Sequence, residues 1–351
     1  MPKLTVGLPV HNAMPYLRES INSLLAQTLQ DFEILAIDDG STDGSLAYLQ
    51  SINDKRVRVI AQRRHGLTFA LNRMLSETGT SWLVRHDADD VCYPNRLQLI
   101  LDYIDKYPDA GMFYSYARYY GAVSTRANFR TTEGSPECLR NITRAGYLLA
   151  ICHPTVTLNV NKTLRCGAYR FDLNIEDLDL WWRMALQYDI RLIPYTTVSY
   201  RLSSGSVSSR NLKTQAINAL YVQYLLLSHL WNLQPDAYEA VCTKLARFMN
   251  EKHVKARNYM RSAHIEFAEQ KYVRALKSVL NGLMVSPTHI FRRIAHEFKS
   301  GHPATNGLDP RVFSSYPTLW GSSLRHATGN APDLTSSLNR MWQLRRSGEV
   351  Q

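Results

Sequence analysis

The sequence predicts an α/β domain with a mostly parallel sheet, followed by a helical C-terminal region. Three observations carry that expectation. Short apolar runs alternate with segments of helical periodicity over the first 120 residues. Two aspartate-rich turns, Asp38–Gly44 and His86–Asp90, follow directly on such runs. From Leu212 to Lys299 strand signals stop and the pattern is almost wholly helical.

Leu4–Val10 reads as a buried strand and Tyr16–Gln27 as an amphipathic helix. Phe32–Ile37 is a second strand, broken by the turn Asp38–Gly44, and a helix near Ser45–Ile52 follows. Strand Val57–Ala61, helix Leu67–Ser76 and strand Trp82–Arg85 continue the alternation. After the His86–Asp90 loop, Pro94 suits the first turn of a helix reaching Tyr107, and strand Gly111–Tyr116 ends the series. Residues 120–210 are mixed and more irregular. Farther on, Ala256–Pro287 places Tyr259, Ala263, Tyr272 and Ala275 as one tetratricopeptide-like helix pair would, with no second copy. After Ser300, glycine, proline, serine and asparagine accumulate. The expected organisation is therefore a catalytic-type domain over 1–210, a helical region over 211–300 and a loop-rich tail over 301–351.

Of the formal net charge of +11, residues 251–351 carry +8, with 15 Lys and Arg against 7 Asp and Glu. A basic tail fits an anionic membrane, nucleic acid or simple solubility. No basic-aromatic groove or known nucleic-acid module is present, so no nucleic-acid partner is expected. Ile290, Phe291, Ile294 and Phe298 fall on one side of Thr288–Lys299, which suits either a lipid surface or packing on neighbouring helices. No apolar run is long enough to span a bilayer, and no signal peptide opens the sequence. The expected location is the cytoplasm, with peripheral contact at the inner face of the cell membrane through the basic helices. Five scattered cysteines, none in a C-x-x-C pair, favour neither a disulfide framework nor a zinc site.

Three stretches carry chemistry. Asp87, Asp89 and Asp90 end a strand and repel one another, so they need water or a cation; Mg2+ and Mn2+ take oxygen ligands of this kind. A solvated helix-capping turn explains the same spacing equally well. Asp38-Asp39-Gly40-Ser41, facing Pro9-Val10-His11-Asn12, offers a fixed carboxylate to the ring N–H of a uracil or thymine, or else simply caps the next helix. Glu176-Asp177 precedes Trp181-Trp182-Arg183, and Asp177 and Trp181 share a helical face. A carboxylate beside an aromatic plane could take a proton from a sugar hydroxyl while the ring stacks; helix capping by Asn174 accounts for the same residues.

Taken together, the stretches Val6–Asn12, Phe32–Asp43, Gly66–Asn72, His86–Asp90 with Pro94 and Arg96-Leu97, His153–Val156, and Glu176 to Arg183 resemble the family 2 glycosyltransferases of the GT-A fold, in that family's order, over roughly residues 3–210. The resemblance implies a Rossmann-like nucleotide-binding sheet flanked by helices, with a C-terminal helical region. It implies a nucleotide-sugar donor, a saccharide or lipid-linked acceptor, and Mn2+ or Mg2+. By position, Asp39 would hold the base with Pro9, Val10 and Asn12 beside it. Asp87 and Asp89 would form the D-x-D pair, with Asp89 on the metal and Asp87 near ribose or metal waters. Asp177 would be the catalytic base; Glu176, Trp181, His153 and Arg201 would line the substrate, and Asp90 has no assigned role. Two positions depart from the family. Arg64 or His65 replaces an asparagine before Gly66, and Ser203 replaces a histidine, for which Arg201 could compensate. The alternatives are a catalytically inactive sugar-binding or scaffold module on the same fold, and a nucleotidyltransferase. The second is disfavoured because residues 7–15 contain one glycine and no Lys or Arg to grip a triphosphate.

Overall fold

The computed structural model describes residues 3–120, 128–170, 173–201, 212–249, 251–268, 270–288, 290–291, 305–306, 308–314 and 319. The chain divides into two compact units, the first made of Met1–Tyr120, Ser124–Leu139 and Ala150–Arg201.

In the first unit, β1 (Leu4–Val10), α1 (Leu17–Leu25), β2 (Phe32–Asp39), α2 (Ser45–Gln50), β3 (Val57–Gln62), α3 (Leu67–Glu77) and β4 (Trp82–Arg85) follow the expected alternation. Next come β5 (Val91–Cys92), α4 (Arg96–Lys106) and β6 (Met112–Tyr119), and then α5 (Pro136–Arg144), which begins in the first unit and runs into the second from Arg140. The short β7 (Leu148–Leu149) belongs to the second unit, and the first resumes with β8 (Thr157–Asn159), α6 (Val160–Arg165), α7 (Glu176–Gln187) and β9 (Ile190–Tyr200). Pro94 stands one residue before the N-cap Asn95 rather than inside the first turn of α4.

The eight-stranded sheet runs β3-β2-β1-β4-β8-β6-β9-β5. The parallel expectation holds over β3-β2-β1-β4 and again for β6 with β9, but β8 runs against both β4 and β6, and β5 against β9. The result is a mixed GT-A-like sheet. Period-two alternation sorts the faces of β1. Leu4, Val6, Leu8 and Val10 join Leu17, Ile21 and Leu24 of α1 and Leu97, Ile100 and Ile104 of α4 in one core. On the other face, Gly7 leaves room for α3: a Cβ there would meet the Met74 sulfur at 2.8 Å.

The order reverses at β1, which has β2 on one side and β4 on the other, and such a switch point opens a crevice at the strands' carboxyl ends. The Gly7 carbonyl accepts the His86 N–H at 3.1 Å, so the backbone of Pro9, two residues on, faces the same way, past the end of β4. A proline is tolerated in this interior strand because no ladder bond is lost there.

In the second unit, α8 (Leu212–Leu230), α9 (Tyr238–Leu245), α10 (Glu251–Ala268) and α11 (Tyr272–Val285) account for the helical pattern. β7 pairs antiparallel with β10 (Thr305–Asn306), and α12 (Pro310–Ser314) follows. The α10–α11 pair coincides with the tetratricopeptide-like spacing. Among the described residues no helix is long and apolar enough to cross a membrane, and all five cysteines are free.

Candidate active site

Asp39 ends β2 with little exposed surface (5%). Its Oδ1 accepts from Gln62 Nε2 (2.7 Å) and the His65 N–H (2.8 Å), and its Oδ2 from the Gly66 N–H (2.9 Å). Burial pushes its carboxyl up, but these three donors outweigh that and hold it below the usual aspartate range. Oδ2 keeps a lone pair for one further donor. At the departing positions Arg64 and His65, the contact to Asp39 is made by the His65 backbone N–H and does not depend on the side chain. Gly40, with φ +71°, makes the preceding turn, where a Cβ would come to 2.9 Å from the Arg64 nitrogen. Across the crevice, His11 Nδ1 donates to the Asp39 carbonyl (2.9 Å). Asn12 takes the left-handed conformation (φ 50°) and ties the two loops, receiving the Thr42 N–H at 2.7 Å and donating its own N–H to Ser41 Oγ at 3.0 Å. The Val10 side chain is in the core, so only its backbone and Pro9 border this pocket.

The acidic loop is held by Arg85, Arg96 and Ser20, to which the sequence assigned no role, and by Arg201. Arg96 is fully buried, and its guanidinium reaches the carbonyls of Arg85 (2.8 Å) and Pro154 (2.6 Å) and His86 Nδ1 (3.1 Å). A guanidinium only donates, so His86 carries its proton on Nε2 and gives it to Ser20 Oγ (3.1 Å). Ser20 in turn donates to the Asp87 carbonyl (3.1 Å). Burial and the flanking Arg96 and Arg85 push the His86 pKa well down, which keeps the ring neutral and the chain ordered in one direction. Arg85, 1% exposed, pairs with Asp87 Oδ1 at 2.5 Å. At the end of β9, the Arg201 N–H binds Asp90 Oδ1 (2.8 Å) and its Nε binds the Asp89 carbonyl (2.8 Å). The Arg201 head also pairs with Glu19 and lies between the Tyr16 and Tyr120 rings, 4.5 and 4.0 Å from their centroids. Arg201 is thus a clamp on the acidic loop, tying it to Glu19 of α1. Ser203 lies outside the described residues.

Asp177 opens α7, with its Oδ1 accepting the Leu178 N–H at 2.8 Å. Two residues on, Asp179 is fully buried between Arg183 (2.6 Å) and Arg170 (2.6 Å). Arg183 also donates to the carbonyls of Cys166 and Ala168, fastening the loop before α7. Removing one partner strands a buried charge. Arg183→Leu is expected to cost about 3–5 kcal/mol in urea unfolding; a loss below about 1 kcal/mol would show that the cluster does not anchor α7.

Glu176 is buried beside Asp177 in the first turn of α7. Trp181 has 0% exposure and lies edge-on to His153, ring centroids 5.6 Å apart. It offers no face to a sugar, so the expected stacking is corrected: Trp181 supports His153. His153 Nε2 is 3.0 Å from the Tyr169 hydroxyl, and burial with the nearby Arg85 charge pushes its pKa well down.

Electrostatics link the pieces. Burial raises the Asp177 pKa to about 6; the Leu178 N–H and Arg85 oppose the rise and the Asp87 charge adds to it. Asp89 is raised to about 6 by burial and then by Asp87. Asp90 is driven well above the carboxylate range by burial and by both neighbours, and its Oδ2 has no hydrogen-bond partner. Crowded carboxylates of this kind favour a cation. Among the described residues no three His, Cys, Asp or Glu side chains converge as a complete metal cage. Two carboxylates from Asp87 and Asp89, completed by phosphate oxygens and water, are the set that Mg2+ or Mn2+ takes, so these residues fit the ion.

Comparison with known proteins bears on the family and the fold. Residues 5–165 match the family model described as Glycosyl transferase family 2. The chain is 36% identical over 108 residues to an uncharacterized glycosyltransferase of Haemophilus influenzae, covering 30% of this chain and 33% of that protein. It is 28% identical over 195 residues to the putative glycosyltransferase EpsE of Bacillus subtilis, covering 52% and 66%. The alignments thus span from about a third to just under two thirds of these relatives. Among solved structures, S. aureus TarS 1-349 in complex with UDP-GlcNAc has a similar fold, with a TM-score of 0.51 at 16% identity over 88% of this chain and 100% of that one.

Proposed function

We propose, from the premise that residues 5–165 of this chain belong to glycosyltransferase family 2, that the protein transfers a sugar from a nucleoside diphosphate sugar to an acceptor hydroxyl in one inverting displacement. The observation that carries the reading is that the acidic loop His86–Asp90 stands at the carboxyl end of β4, beside the switch point at β1, within the stretch that matches the family.

Asp39 accepts the ring N–H of the base on Oδ2, which selects uracil or thymine over adenine, whose pairing edge presents a bare nitrogen there. The Pro9 and Val10 backbone and Asn12 border the nucleotide. Asp89, with Asp87, would hold Mn2+ or Mg2+. The ion would supply neutralisation of the charge that develops on the leaving phosphate. Asp177 removes the acceptor proton as the new bond forms. The donor class is a UDP-hexose or UDP-N-acetylhexosamine, and the acceptor a saccharide or lipid-linked saccharide of bacterial glycan assembly, met in the cytoplasm at the inner membrane face. Proton NMR of the first product formed from an α-linked donor tests the mechanism. A β-anomeric product is expected, and an α product would overturn the single displacement.

A further inference from the structure

One helix of the second unit has its faces reversed for a protein surrounded by water. α11 packs through small side chains: Ala275, Ser278 and Gly282 are its buried positions, and a Cβ on Gly282 would approach Tyr259 Cβ of α10 to 3.3 Å. Four of its large apolar side chains point outward instead: Val273 (84% exposed), Leu276 (60%), Leu280 (51%) and Met284 (77%). Spacings of three and four residues align these four in one stripe, opposite the packed face. Single exposed apolar residues are ordinary on a soluble surface, but a continuous stripe marks an interface.

Charge identifies the partner. From Lys271 to His296 the sequence contains no carboxylate, while Lys271, Arg274 and Lys277 accompany the stripe. A two-fold pairing with a second copy would set these cations against themselves. We infer that the outward face of α11 rests on an anionic lipid surface, its aliphatic side chains entering the acyl boundary and its Lys and Arg reaching the phosphate headgroups. Tyr272, exposed at the start of the helix, suits the same boundary. Of the apolar set on Thr288–Lys299, for which lipid contact and packing were both open, Phe291 is 64% exposed. Ile290 there is 2% exposed and packs against Gly282, so it does not face lipid, and Ile294 and Phe298 lie outside the described residues.

The inference deepens the reading of a membrane-borne acceptor, yet it does not depend on catalysis. Its test uses the full chain and sucrose-loaded vesicles of phosphatidylcholine, with or without phosphatidylglycerol. Sedimentation is expected with the anionic vesicles and to weaken in high salt. Leu276→Glu with Leu280→Glu should lower the partition coefficient about tenfold or more. Both positions are exposed, so the thermal melt and the donor turnover in solution should stay as in the wild type. Absence of sedimentation, or equal sedimentation of wild type and variant, overturns the inference. So does a concentration-dependent dimer in light scattering that these substitutions dissociate, because it would assign the stripe to a second copy. Failure of the vesicle experiment with donor turnover intact would leave the transferase reading standing, and the converse result would separate them the other way.

Discussion

Asp177→Asn is expected to lower sugar transfer by about 10²–10⁴-fold while nucleotide-sugar binding stays within about twofold. Asparagine keeps the shape of the side chain and can still accept the Leu178 N–H, but it cannot take a proton. Titration calorimetry with the donor and a coupled assay for transfer separate the two effects; a fully active variant would remove Asp177 from the chemistry. The same carboxyl sets a pH limb. Its folded pKa is raised to about 6, so transfer by the wild type should fall as pH drops through that value, where the base becomes protonated. The stability effect has the opposite sense. Between the ordinary value of 3.8 and about 6, the folded protein holds a proton that the unfolded chain has released, so stability falls as pH rises through that window. At neutral pH the full loss is present, at most about 3 kcal/mol and less because the side chain is partly open to solvent. Asp177→Asn should therefore melt higher than the wild type at neutral pH and lose that advantage near pH 4.

Asp89→Ala should lower turnover by about 10²–10³-fold, because the charge of the leaving diphosphate would no longer be met by a fixed cation. Its effect on stability should depend on ligand. Without cation the variant should melt above the wild type, since Asp89 adds to the repulsion among Asp87, Asp89 and Asp90. With Mn2+ and UDP present the order should reverse, because a ligand that binds only the folded state stabilises it by mass action and the variant binds it poorly. Thermal melts of both proteins under both conditions decide this; equal shifts would place the ion elsewhere.

The β3-β2-β1-β4 half of the sheet was legible because its evidence is local. Apolar runs of strand length stop at Asp38 and His86, and turn residues punctuate them. The other half was not. β8 is three residues long, too short to show a period, and its antiparallel pairing with β4 and β6 joins residues far apart in the chain. Likewise the acidic residues could be read, but not what holds them. A buried arginine has the same letter as an exposed one, and only the fold reveals that Arg96 reaches His86, Arg85 and Pro154 at once. Trp181 shows the limit of periodicity. Spacing set it on the face of Asp177, but whether it meets solvent depends on the His153 ring packed against it. The reversed faces of α11 are a further case, since its apolar residues are readable while the choice of small ones for packing is made by the approach of α10.

The most direct test of the central claim is the release of free nucleoside diphosphate from a panel of UDP-sugars, measured with the wild-type chain with Mn2+ and after chelation. Release that requires the cation, occurs with at least one UDP-sugar and is lost in Asp89→Ala is the predicted result. Tight, cation-dependent binding of the same donors with no release, even when saccharide acceptors are supplied, would contradict it and leave a sugar-nucleotide binding module on this fold.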